Sequence, residues 1–106
     1  SKIQQARIET EKLRAQQNEV EQQIALQVTQ AWNDLESARN TWATAQRGLV
    51  AAEEIFRIVN NKYRANQALL LEFLDAQNRV TTARLQVALS WVEVLLREAS
   101  LRKAAG

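Results

Sequence analysis

The spacing of the apolar residues restricts this chain more than any other feature. Ile24, Val28, Ala31, Leu35, Ala38, Trp42, Ala45, Leu49, Ala52, Phe56, Val59 and Tyr63 follow one another, after the first step, in intervals that alternate between 3 and 4 residues. A repeat averaging ~3.5 residues keeps one apolar seam of a helix turned toward one neighbour and winds the two into a left-handed coiled coil. The seam continues upstream through Ile3, Ala6, Thr10, Leu13, Gln17 and Val20, weakened by polar Thr10 and Gln17. Where the two stretches meet, Val20, Ile24 and Val28 are separated by two successive steps of 4. Such a stutter locally unwinds the supercoil.

Few breaks interrupt this pattern. The chain of 106 residues has no proline and only 2 glycines, Gly48 and Gly106. A domain with many turns needs more of both. Ala, Gln, Glu, Leu and Arg dominate, and all favour helix. One good stop lies at Arg64-Ala65-Asn66-Gln67, beside Asn60 and Asn61. Asparagine tolerates the left-handed conformation that ends helices. The expected fold is therefore all-α: two long antiparallel helices in a coiled-coil hairpin, filling residues 1–106 as one unit. The long helix spans about residues 2–64, the turn residues 65–67, and the shorter helix about residues 68–103.

The second helix carries two seams. One runs Phe73, Ala76, Val80, Ala83, Val87, Ser90, Val94. The other runs Leu71, Leu74, Asn78, Thr81, Leu85, Ala88, Val92, Leu95, Ala99. A free hairpin needs one seam per helix, so the second predicts neighbours on two sides. The arms are also unequal, roughly 90–95 Å against roughly 55 Å at 1.5 Å per residue. Folded at Asn66, the shorter helix ends near residue 28, at the stutter. Residues before it should lack a partner within this chain, leaving Ile3, Leu13 and Val20 uncovered, and the second seam of the shorter helix should leave Leu85 and Val92 uncovered.

Several kinds of chemistry lack their residues. There is no cysteine and no histidine, hence no thiolate nucleophile and no imidazole base or ligand. No metal or cofactor is expected. The formal charge is +2, with both signs interspersed, which reads as a solvated helix surface and not as a nucleic-acid footprint. No apolar run reaches the ~20 residues of a membrane span. No secretion signal precedes the helix, and the chain opens mid-pattern at Ser1, as a piece excised from a longer protein would.

Candidate functional residues cluster at the turn. Leu69, Leu70 and Leu71 form an apolar run at an exposed tip. Leu71 and Leu74 begin a seam and are expected in the hairpin core, whereas Leu69 and Leu70 suit a contact with another molecule. Glu72 and Asp75 occupy the first two turns of the second helix. They either compensate its macrodipole or serve as functional acids. As a catalytic pair they would need a desolvating cleft, for which the pattern offers no place. Tyr63 closes the core seam, and Trp32, Trp42 and Trp91 are expected to fill gaps between the helices.

The turn also carries a resemblance. Tyr63-Arg64-Ala65-Asn66 followed by Leu74-Asp75-Ala76-Gln77 resembles the Tyr-x-x-Gly turn and Leu-Asp-Ala-Gln stretch of the TolC-type outer-membrane efflux proteins. Ala83-Arg84-Leu85-Gln86-Val87-Ala88 and the ending Leu101-Arg102-Lys103-Ala104-Ala105-Gly106 are similar to that family's last long helix. The likeness is best over residues 50–106. Asn66 stands where the family usually has glycine, and asparagine is next best at a positive φ. Ala68 stands where some relatives carry an arginine whose contacts hold the entrance shut.

The resemblance implies an architecture that fits the unequal arms: long helices, each packed on two shorter ones stacked end to end, with three copies closing a twelve-helix duct below an outer-membrane barrel. It implies an outer-membrane location with this part in the periplasm. The partners it implies are a periplasmic adaptor (membrane fusion) protein and an inner-membrane pump, with a homotrimer in the intact protein. Arg64, Ala65, Asn66, Gln67, Leu69 and Leu70 would dock the adaptor, and Glu72 and Asp75 would stand at the duct entrance. The competing readings are the α-hairpin of an adaptor itself, which has arms of similar length, and an unrelated dimerising coiled coil, which needs one seam per helix. An enzyme is the weakest, since no nucleophile has a base.

Overall fold

The computed structural model describes all of residues 1–106 and contains two helices, α1 (Lys2–Arg64) and α2 (Leu70–Ala105). The molecule is a rod of 96 × 16 × 15 Å, its long dimension set by the 63 residues of α1. Ser1 caps α1, its Oγ accepting the Gln4 N–H at 3.3 Å. Gly48 does not break α1, and nothing lies within 4 Å of where its Cβ would be. The helix tolerates glycine here but gains no close approach from it.

The packing follows the seams. Every seam residue of α1 from Val28 to Tyr63 is buried or half-buried, as is every member of the Phe73–Val94 seam of α2. The tightest packing lies toward the end remote from the turn, where Leu35, Ala38 and Val94 are buried with Trp42 and Leu101 against them. Trp42 and Trp91 meet at a ring-centroid distance of 4.7 Å. Ser90, the one buried polar residue, donates its hydroxyl within its own helix to the Gln86 and Val87 carbonyls at 2.7 and 3.0 Å. It therefore leaves no unmet group in the seam. Two ion pairs join the helices, Arg39–Glu98 at 3.6 Å and Arg97–Asp34 at 3.8 Å. Both flank the Leu35 cluster and none lies nearer the turn.

Beyond the end of α2 the picture changes. Residues 1–27 are exposed on every side, Ile3, Leu13, Val20 and Ile24 included. The second seam of α2, from Leu71 to Ala99, is exposed throughout. Three expectations need correction. Leu71 is 75% exposed and Leu74 is 47% exposed, so neither belongs to the hairpin core. Phe73, between them, holds that place. Trp32 is half exposed and fills no gap, because it sits beside the α1 seam and not on it. The reversal occupies residues 65–69, and α2 starts at Leu70, two residues later than the pattern placed it.

Candidate functional site: the hairpin tip

The turn is built by backbone hydrogen bonds. Asn66 is the one non-glycine residue with positive φ, at 58°. This lets the chain curl back on the end of α1. The Asn66 N–H donates to the Tyr63 carbonyl at 3.0 Å and the Gln67 N–H to the Lys62 carbonyl at 2.7 Å. Together these form a Schellman stop, with Asn66 in the left-handed place usually taken by glycine. Lys62 and Arg64 lie in the last turn of α1, where cations complement the exposed carbonyls.

The start of α2 is the opposite case. Its N-cap residue is Leu69, extended at φ −75° and ψ 152°, without a side-chain cap. Leucine is among the poorest N-caps because it has no acceptor for the free N–H groups of the first turn. The first helical bond is Phe73 N–H to the Leu69 carbonyl at 3.1 Å, and the N–H groups of Leu70, Leu71 and Glu72 have no partner within the chain. The same few residues expose their apolar side chains, Leu69 by 68% and Leu70 by 54%. An uncapped helix start covered in exposed leucine is a local conflict of the sort that proteins keep where function requires it.

Aromatic packing beneath holds the tip in place. Tyr63 stacks on Phe73 at 4.9 Å and Phe56 meets Phe73 at 5.5 Å. Ala68 is half-buried, the one residue between Arg64 and Leu70 that is not exposed. Arg64, Ala65, Asn66, Gln67, Leu69 and Leu70 are all exposed together at the end of the rod. Leu71 joins them on the surface, and its place in the outer seam of α2 was the signal for it. The two acids differ: Asp75 Oδ2 holds Arg79 Nε at 2.9 Å, while Glu72, in the first turn, forms no ion pair. No cluster of acidic side chains is placed to hold a metal ion, and no helix is long and apolar enough to cross a membrane.

The model of one protein family, described as outer membrane efflux protein, matches residues 1–106, the whole chain. No curated protein and no solved structure matches significantly.

Proposed function

The chain belongs to the outer membrane efflux protein family, and from that membership we propose that it forms part of the wall of a trimeric helical duct in the periplasm and docks a periplasmic adaptor through its tip. Membership itself makes the chain a component of outer-membrane efflux. The observation that carries the docking reading is the tip, where exposed Leu69 and Leu70 coincide with an uncapped helix start. The start of α1, by contrast, has a side-chain cap, Ser1 Oγ accepting the Gln4 N–H. The tip offers apolar side chains beside free N–H groups and polar Arg64, Asn66 and Gln67, a mixture suited to end-on contact with another helical tip. Each such contact is small, so a single tip binds weakly and threefold repetition supplies avidity.

The wall reading is supported by α2. Its covered and uncovered seams lie roughly 150° apart around the helix at ~100° per residue. Helices that meet their neighbours at that angle close a ring of about a dozen. Residues 2–27 of α1 would take a further helix as partner. Glu72 and Asp75 would stand near the mouth of the duct, and Glu72, which has no cation of its own, is the freer to act on passing cations.

The test is export by the full-length protein carrying Leu69→Ser and Leu70→Ser, with trimer assembly in the outer membrane checked separately. Normal assembly with lost export is the expected result. Unchanged assembly and unchanged export would leave those leucines a local packing role only and remove the docking proposal.

A further inference from the structure

The acids of α2 follow one rule with one exception. Asp75 Oδ2 accepts from Arg79 Nε at 2.9 Å, Glu93 Oε1 accepts from Arg97 Nε at 2.7 Å, and Glu98 meets Arg39 of α1 at 3.6 Å. Glu72 alone has no arginine, and the residue order shows why. A helix brings together side chains three and four residues apart. Around Glu72 those places hold Ala68, Leu69, Asp75 and Ala76, none of them a cation. Asp75 has Arg79 four residues on, with the acid nearer the N-terminus, the better order for such a pair. Glu72 and Asp75, three residues apart, share one side of the hairpin. Arg79 lies on that side too, at the edge of a groove of about 480 Å³ that Thr82 and Gln86 line from α2 and Gly48, Ala51 and Ile55 from α1.

We propose that Arg79 sets the charge that this hairpin presents at the mouth of the duct: it cancels Asp75, so that Glu72 alone, once per copy, favours cations there. The proposal rests on the reading that Glu72 and Asp75 stand at that mouth. A ring of free carboxylates selects cations, and electrostatics decides what Asp75 adds to it. At physiological ionic strength a charge is screened over ~8 Å, and the 2.9 Å between Asp75 and Arg79 lies well inside that length. To an ion farther away the pair is a dipole, whose field falls off faster than that of a lone charge. Each copy therefore offers one negative charge at the mouth and not two. The pair is exposed and adds little to stability, but cancellation needs only proximity. Arg79 is thus a residue that determines selectivity without itself attracting the cation.

The test is the ratio of cation to anion permeability, read from reversal potentials of the full-length protein in planar bilayers under a potassium chloride gradient, with trimer assembly checked for each variant. Glu72→Gln should lose most of the cation preference. Arg79→Gln frees Asp75 and should raise the preference roughly twofold, since the mouth then carries two negative charges per copy in place of one. Asp75→Asn should lower it, because Arg79 is left as a bare cation. Asp75→Asn combined with Arg79→Gln should return it to the unmodified value, and Arg79→Lys should leave it there. Salt near 1 M, where screening acts over ~3 Å, should shrink all these differences, which a purely structural role for Arg79 would not do. If Glu72→Gln shifts the ratio but Arg79→Gln does not, or if the double variant behaves as Asp75→Asn alone, the proposal is overturned and the acids keep their place at the mouth. If neither Glu72→Gln nor Asp75→Asn moves the ratio, the acids do not stand at the mouth, and the proposal falls together with that reading.

Discussion

The two lengths of α1 on either side of Val28 make an instructive pair. Both are continuous helix and both carry apolar residues at steps of 3 and 4. From Val28 onward that seam is covered by α2, with Leu35 at 2% exposure. Before it, the same kind of seam is bare, with Leu13 at 65% exposure. A heptad pattern therefore says that a helix has a partner face, but not which helix supplies the partner. Within these residues α2 (Leu70–Ala105) covers the α1 seam only from Val28 onward. The stutter marks the place, because a change of partner requires the seam to shift around the helix.

If this comparison is right, equivalent substitutions in the two lengths should differ widely. Leu35→Ala removes a buried side chain and leaves a cavity, and is expected to cost about 2–5 kcal/mol. Leu13→Ala should stay within about 0.5 kcal/mol, as exposed substitutions do. Urea unfolding of the two variants measures both, and similar losses would break the distinction.

The turn that makes α2 available to α1 gives the next largest effect. Asn66→Val should destabilise the hairpin by about 1–2 kcal/mol, since a β-branched residue resists positive φ. Asn66→Gly should be tolerated. Equal melting temperatures would mean that the left-handed geometry is not what holds the turn. Gly48→Ala should raise stability by about 0.5–1 kcal/mol, because the new methyl meets open space. A loss instead would point to a packing role for Gly48.

The smallest effect lies on the solvated side of the paired length. Arg57 donates to both Glu54 oxygens, at 2.6 and 3.1 Å. This hydrogen bonding, with the guanidinium charge, lowers the Glu54 pKa below its ordinary value and raises that of Arg57. For a carboxylate lowered in the folded state, the stabilising contribution is fully present above the ordinary glutamate pKa and is lost as pH falls through the lowered one. The pair is exposed, so the contribution is small and screened by salt. An NMR titration of Glu54 should show a lowered midpoint, and Arg57→Gln should return it toward the ordinary value.

Much of this structure could be read from residue order, for physical reasons that also explain the exceptions. A strict seam and the lack of proline leave a helix few alternatives, so the hairpin and the bare residues 1–27 were legible, while the left-handed Asn66 was legible from its place where the resembled family has glycine. Leu71 and Leu74 were harder. Two seams run side by side on α2, and periodicity alone does not say which of them meets α1. Phe73 decides it by reaching Tyr63 and Phe56. The late start of α2 was hidden because Ala68 and Leu69 are good helix formers, yet Leu69 is held extended at the N-cap position. The tip residues could be named in advance, but the free N–H groups behind them depend on that backbone geometry.

Amide hydrogen exchange along α1 tests the central claim most directly, because it reads both lengths of one helix in a single sample. Local opening is cheap where few apolar contacts hold a helix. The amides of residues 28–64 should therefore exchange slowly, those of residues 2–27 many-fold faster, and the boundary should fall near Val28. Uniform protection from end to end, or a boundary far from the stutter, would contradict the account of a helix only half of which finds its partner within this chain.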